Sequence, residues 1–162
     1  MVHRSAHETL RNPTRASTMA LRVRGHHLCC VFCYVGSGAR SARDYFGVDN
    51  AIHELVSRLR GDPDQIVEVA ENFDDVCVVC PLHSEGGCGR KADAVAQNEK
   101  LRGWDRAILE RLCLSPGDPL PFSRIVELIR DNIPDIGEIC TDCTSSKPLG
   151  FATFRKGLKI GL

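Results

Sequence analysis

Nine of the 162 residues are cysteine, and four of these stand in two Cys-x-x-Cys pairs, Cys77-Val78-Val79-Cys80 and Cys140-Thr141-Asp142-Cys143. Two residues between thiolates let a tight turn aim both sulphurs at one centre, while the amides of that turn offset the thiolate charge. Cys88 follows the first pair across a glycine-rich loop that can curl around a bulky group. Pro81 directly follows Cys80, as a proline follows the last cysteine of bacterial ferredoxin motifs. One pair alone would be a weak signal; two pairs and Cys88 together point to metal.

The competing uses of cysteine fit less well. Disulphide scaffolds are shorter secreted chains with an even cysteine count and a signal peptide. The N-terminal stretch here has no apolar run of signal-peptide length, so the expected compartment is the reducing cytoplasm. A thioredoxin-like motif sits between a strand and a helix, whereas Cys80 leads into Pro81 and Cys143 into Thr144-Ser145-Ser146. A lone nucleophilic thiolate wants cationic neighbours, but Asp62, Asp64, Glu68, Glu71, Asp74 and Asp75 precede the first pair. A bound metal supplies its own positive charge. Structural zinc stays open as an alternative, although zinc ribbons separate their pairs by about 15 to 20 residues. Cys113, Cys29 and Cys33 read as small buried hydrophobes, with Cys30 and Cys33 able to form a further pair.

Charge narrows the partners. The chain carries 21 basic and 21 acidic residues, without the basic excess of a nucleic-acid binder. The longest apolar run, Leu28 to Val35, is too short to span a bilayer. Neither a phosphate-binding glycine loop, nor His-Glu-x-x-His, nor a Gly-x-Ser-x-Gly elbow occurs, so catalysis would have to come from the metal site itself.

With 43% hydrophobic residues the chain can build a core that does not depend on metal alone. Residues 1–18, rich in Arg, Ser and Thr, read as a disordered N-terminal extension, and 19–162 as a single Cys-rich metal-binding domain. A strand is expected over 20–24, ended by Gly25, then a short buried helix over 26–34. Asp49 or Asn50 can cap a helix with Ile52, Leu55, Val56 and Leu59 inward, leaving His53 solvated. Residues 65–69 alternate as a strand, 77–89 form an irregular loop, and 91–114 form a long helix with Val95, Leu101, Trp104, Ile108 and Leu112 inward and a bend at Gly103. Ser123 can cap a further helix that ends before Pro134, and the tail from Cys140 reads as loop. The expected fold is α+β and mainly helical, with a minor β element and Cys-rich metal-binding loops.

Taken together, Arg24-Gly25-His26-His27-Leu28-Cys29-Cys30, Asp74-Asp75-Val76-Cys77-Val78-Val79-Cys80-Pro81 and Cys140-x-x-Cys143 with Pro148-Leu149-Gly150 resemble the domain of unknown function family 1284. Its members are small bacterial and archaeal proteins suspected of binding iron–sulphur clusters. The resemblance spans about Leu21 to Leu158. It implies Cys30, Cys77, Cys80, Cys88, Cys140 and Cys143 as the ligand set, more than the four one cluster needs. Cys29 falls where the signature has leucine, and Cys33 where glycine is usual. His26 or His27 beside Cys30 could serve as a metal ligand or proton donor, against the plainer reading of a histidine hydrogen-bonded in the core.

The resulting expectation is one [4Fe–4S]-type cluster on Cys77, Cys80, Cys88 and a fourth cysteine, with a redox or electron-transfer role toward an unidentified redox or protein partner. A structural zinc interaction module is the alternative, and a redox-responsive regulator the third reading.

Overall fold

The computed structural model describes residues 19–84, 87–89, 93–143 and 151–162; the extension expected over 1–18 lies outside the described residues. In chain order the elements are β1 (Leu21–Arg24), α1 (Gly25–Ser37), α2 (Ala42–Phe46), α3 (Ile52–Gly61), β2 (Ile66–Ala70), β3 (His83–Ser84), β4 (Gly87–Cys88), α4 (Ala94–Leu112), β5 (Pro119–Pro121), α5 (Phe122–Asn132) and α6 (Ala152–Ile160). The fold is α+β and mainly helical, as the sequence predicts. Among the described residues no helix is long and apolar enough to cross a membrane.

Leu21 and Val23 alternate inward around exposed Arg22, the period-two pattern of a half-buried strand. β1 pairs in parallel with β2, Leu21 opposite Val67 through Arg24 opposite Ala70, and β5 runs antiparallel along the other side of β2. The 74–75 segment hydrogen-bonds β1, the Asp75 amide donating to Arg22 O at 2.9 Å and the two aspartate side chains accepting. The amides of Arg22 and Arg24 donate to Asp75 Oδ2 and Asp74 Oδ2, each at 2.8 Å. The acidic run before the first cysteine pair is thus partly structural.

α1 is the central element. Leu28, Cys29, Val31, Phe32, Cys33, Tyr34 and Val35 are all buried, the mark of a helix with protein on every side. The strand ends at Gly25, as expected, and Gly25 is itself the first residue of this helix. A Cβ there would meet the Asp105 carbonyl oxygen at 3.0 Å, so only hydrogen lets the α4 backbone cross so closely. Gly38, at φ 71°, ends α1 with its N–H on Val35 O.

Several other expectations are corrected. The tail from Cys140 is not all loop: α6 packs on α1, with Thr153, Phe154 and Gly157 buried. Its exposed Arg155, Lys156 and Lys159 mask this inward stripe. Ser123 does not cap α5, which starts after Pro121; its hydroxyl instead donates to Asp64 Oδ1 at 2.6 Å. Val95 is exposed because it precedes the part of α4 that meets the core, whereas Ile108 and Leu112 are fully inward. α4 continues through Gly103 to Leu112. Cys113 is exposed, since it occupies the left-handed C-cap of α4 at φ 54° and turns away from the core. α2 and the β3–β4 pairing within 77–89 are too short for sequence periodicity to register. Asn50 Oδ1 accepts from the Ile52 amide at the start of α3. His53 is exposed, as expected, and bonds the Tyr34 hydroxyl at 2.7 Å.

Candidate metal centre

The start of α1, the turns at 77–82 and 140–143, β4 and the first half of α4 enclose a cavity of about 100 Å³. That is room for a group larger than one water. Five of the six cysteines expected as ligands line it: Cys30, Cys77, Cys80, Cys88 and Cys143, all half-buried. Cys140 lies beneath, buried in the core beside Cys29 and Cys33. Phe46, Val48, Val76, Leu82, Leu101 and Trp104 form apolar walls, and His26 and His27 both face the space.

Local structure explains how the thiols are presented. Each Cys-x-x-Cys pair is closed as a turn, Cys80 N–H on Cys77 O at 3.0 Å and Cys143 N–H on Cys140 O at 3.1 Å. Cys88 is held from α4, where Asn98 Oδ1 accepts its amide at 3.0 Å. Gly87, at φ 96°, leaves no space for a Cβ against the Asn98 side chain.

Asp74 ties the first pair to α1. Its Oδ2 accepts from the Arg24 amide (2.8 Å) and from His27 Nδ1 (2.6 Å). Its Oδ1 accepts from the amides of Val76 and Cys77, at 3.1 and 3.2 Å. Burial alone would raise the Asp74 carboxyl. The neighbouring His27 and the hydrogen bonds from His27, Arg24 and Cys77 outweigh it and hold Asp74 well below the usual carboxylate range. An ionised Asp74 only accepts, so His27 Nδ1–H is the donor. Ligand atoms of His27, Asp74 and Cys77 all lie within 4.8 Å of one another.

A second carboxylate anchors the neighbouring ring. Asp105 accepts from His26 Nδ1 at 2.7 Å and from the His26 amide at 2.9 Å on Oδ1. Arg24 Nε and Nη2 meet its Oδ2 at 2.9 and 2.7 Å, and Arg24 Nη1 donates to Asn72 O at 2.7 Å. Burial, then the charge of His27, lowers His26 to about 4, so its ring is neutral at pH 7. Each histidine therefore has a carboxylate on Nδ1, the arrangement that fixes the tautomer of metal-binding histidines. The plainer expectation, a histidine hydrogen-bonded in the core, describes His26 well.

The His26 shift has a consequence in solution. Its folded value lies below the ordinary 6.5, so on acidification the unfolded chain takes the proton first. Stability present above pH 6.5 is lost as pH falls toward 4, by up to about 3 kcal/mol. Urea midpoints measured from pH 7.5 to 4.5 should fall accordingly, and the slope should flatten in His26→Asn. An equally steep slope in that variant would remove His26 as the cause.

Burial works against free thiolate nucleophiles among these cysteines. Burial, then the Asp74 charge, pushes Cys77 far above its ordinary range. Burial and neighbouring thiols do the same for Cys29, Cys30 and Cys140. Thiolates form at such positions when a cation replaces the lost solvation. Gln97 adds a further mark: it lines the cavity, is buried, and its Oε1 has no hydrogen-bond partner among the described residues.

Sequence reading missed Asp74, Arg24, Asp105, Gln97 and Asn98. Signals existed for three. Asp74 stands three residues before Cys77, the spacing of a side chain capping a turn. Gln97 and Asp105 fall on the apolar stripe of α4 with Leu101, Ile108 and Leu112, where a polar residue needs a buried partner.

Fold and cavity thus define a small α+β protein with a thiol-rich internal site. The chain belongs to the family described as "Protein of unknown function (DUF1284)", whose model matches residues 47–148. The Arg24–Cys30 segment precedes the matched stretch. No curated protein and no solved structure matches the chain.

Proposed function

We propose that the cavity seats an iron–sulphur cluster of the [4Fe–4S] type and that the protein has a redox or electron-transfer role. The observation that carries this reading is the arrival of five cysteines, from α1, 77–80, β4 and the 140–143 turn, at one cavity. The donor set fits the group. Thiolates are the soft ligands such clusters take, the walls are apolar, and Gln97, whose Oε1 has no partner among the described residues, lines the same cavity. Cys77, Cys80 and Cys88 would be three of the ligands. When bound, a cluster supplies one-electron transfer. The chain's own part is to present thiolates, exclude water with Trp104, Leu101 and Val76, and keep Asp74 and Asp105 charged beneath the histidines.

Zinc is the second reading, favoured by the closeness of His27 and Cys77, whose ligand atoms lie within 4.8 Å of each other. It would make the protein an interaction module with a closed structural site. Protein purified without oxygen separates the two. The cluster reading expects brown protein with stoichiometric iron and sulphide; colourless protein with one zinc per chain would sink it. Within the cluster reading, Cys88→Ala should lose essentially all of the iron. Cys113→Ala, which alters an exposed residue, should keep it. The reverse result would show the ligand assignment to be wrong.

A further inference from the structure

We propose that His27 is the non-thiolate ligand of the centre held by Cys77, Cys80 and Cys88, and that Asp74 is the residue that positions its ring. The inference rests on the cluster reading above and names one of that cluster's ligands.

The argument starts from Asp74. It lies with His27 and Cys77 in the 4.8 Å group, yet its oxygens are already engaged. Each accepts two hydrogen bonds, from Arg24 N and His27 Nδ1 on one and from Val76 N and Cys77 N on the other. A carboxylate has about four lone-pair sites, so Asp74 has none to spare for metal. What it does instead is fix His27. With Nδ1 on Asp74, Nε2 is the ring nitrogen left for a metal. The same carboxylate holds the Cys77 amide, so ring and thiol turn form one rigid unit. Preorganisation of this kind lowers the ordering cost of binding.

Cys30 and Cys143 also face the cavity, but neither belongs to the 4.8 Å group that His27 forms with Cys77. Cys140 is buried in the core with Cys29 and Cys33. His26 is turned to Asp105 and lies edge-on to Trp104 at 6.2 Å. The His83 ring packs on Phe73 at 4.5 Å. Neutral imidazole in place of a thiolate also makes the site less negative, which raises its reduction potential.

The test is pulsed electron paramagnetic resonance on dithionite-reduced protein purified without oxygen, with and without 15N-histidine. Iron and sulphide are measured on the same samples. A directly bonded nitrogen coupling should change with the label in wild type. It should vanish in His27→Cys, which keeps a ligand at the position and should retain iron. Asp74→Asn should keep iron but shift the histidine coupling; an unchanged coupling removes Asp74 from its positioning role. Iron and sulphide present without a histidine coupling, or a coupling that persists in His27→Cys, overturns the inference and leaves the cluster reading standing. Colourless zinc protein overturns both.

Discussion

Asp105→Ala should destabilise the protein by about 3–5 kcal/mol, because it strands a buried guanidinium. Arg24 and Asp105 side chains are only 4% and 10% exposed, and two Arg24 nitrogens converge on Asp105 Oδ2. Removing the carboxylate also orphans the His26 ring N–H and its backbone N–H. Among the described residues, the Arg24 side chain would then keep its hydrogen bond to the Asn72 carbonyl, which carries no charge. The measurement is urea unfolding, where the midpoint should drop with an unchanged slope. Asp105→Asn, which keeps an acceptor but not the charge, should fall in between. A double replacement, Arg24→Met with Asp105→Leu, should recover much of the loss, since apolar residues of similar volume commonly replace buried pairs without cost. A loss below about 1 kcal/mol for Asp105→Ala would place the pair among solvated surface bridges and contradict its burial. Because Arg24 and His26 line the cavity, the proposed cluster predicts that iron retention falls together with stability.

The second large effect is expected at the contact between α1 and α6. A Cβ on Gly157 would sit 2.6 Å from the Phe32 carbonyl carbon and 2.9 Å from its Cα. One on Gly36 would sit 2.7 Å from Gly157 N. These are backbone atoms, so no side-chain rotation relieves the clash and the helices must separate. Separation would uncover Phe154, which is fully buried and edge-on to Phe32 at 6.3 Å. Gly157→Ala should therefore cost about 3 kcal/mol or more. Gly103→Ala makes the contrast: it lies inside α4 with nothing within 4 Å of a Cβ. Alanine there should stabilise by about 0.5–1 kcal/mol through helix propensity. Similar urea midpoints for the two variants would refute close backbone packing as the reason for Gly157.

The tertiary contact also explains why α6 was not legible. Helical sequence signals come from stripes of apolar residues, and in α6 one of the inward positions is a glycine. Its burial is invisible until Phe32 is known to lie opposite. Cys113 fails for the opposite reason. It continues the apolar end of α4 in sequence, but the left-handed cap at that residue turns the chain outward. The misplaced cap at Ser123 has a similar origin, since a distant acceptor, Asp64, takes the hydroxyl.

By itself the sequence determined what is local. Period-two burial made β1 and β2, and the apolar stripes of α3 and α5 were readable. The two Cys-x-x-Cys turns follow from spacing alone, because each is closed by a hydrogen bond between residues three apart. Only the tertiary structure decided which groups meet. His27 reaches Asp74 across 47 positions and His26 reaches Asp105 across 79, and Cys30, Cys77, Cys88 and Cys143 come to one cavity from four elements or turns. No periodicity encodes such meetings. They depend on how the parallel pairing of β1 with β2 and the glycine-allowed crossing of α1 over α4 route the chain, and both are set by packing over the whole molecule.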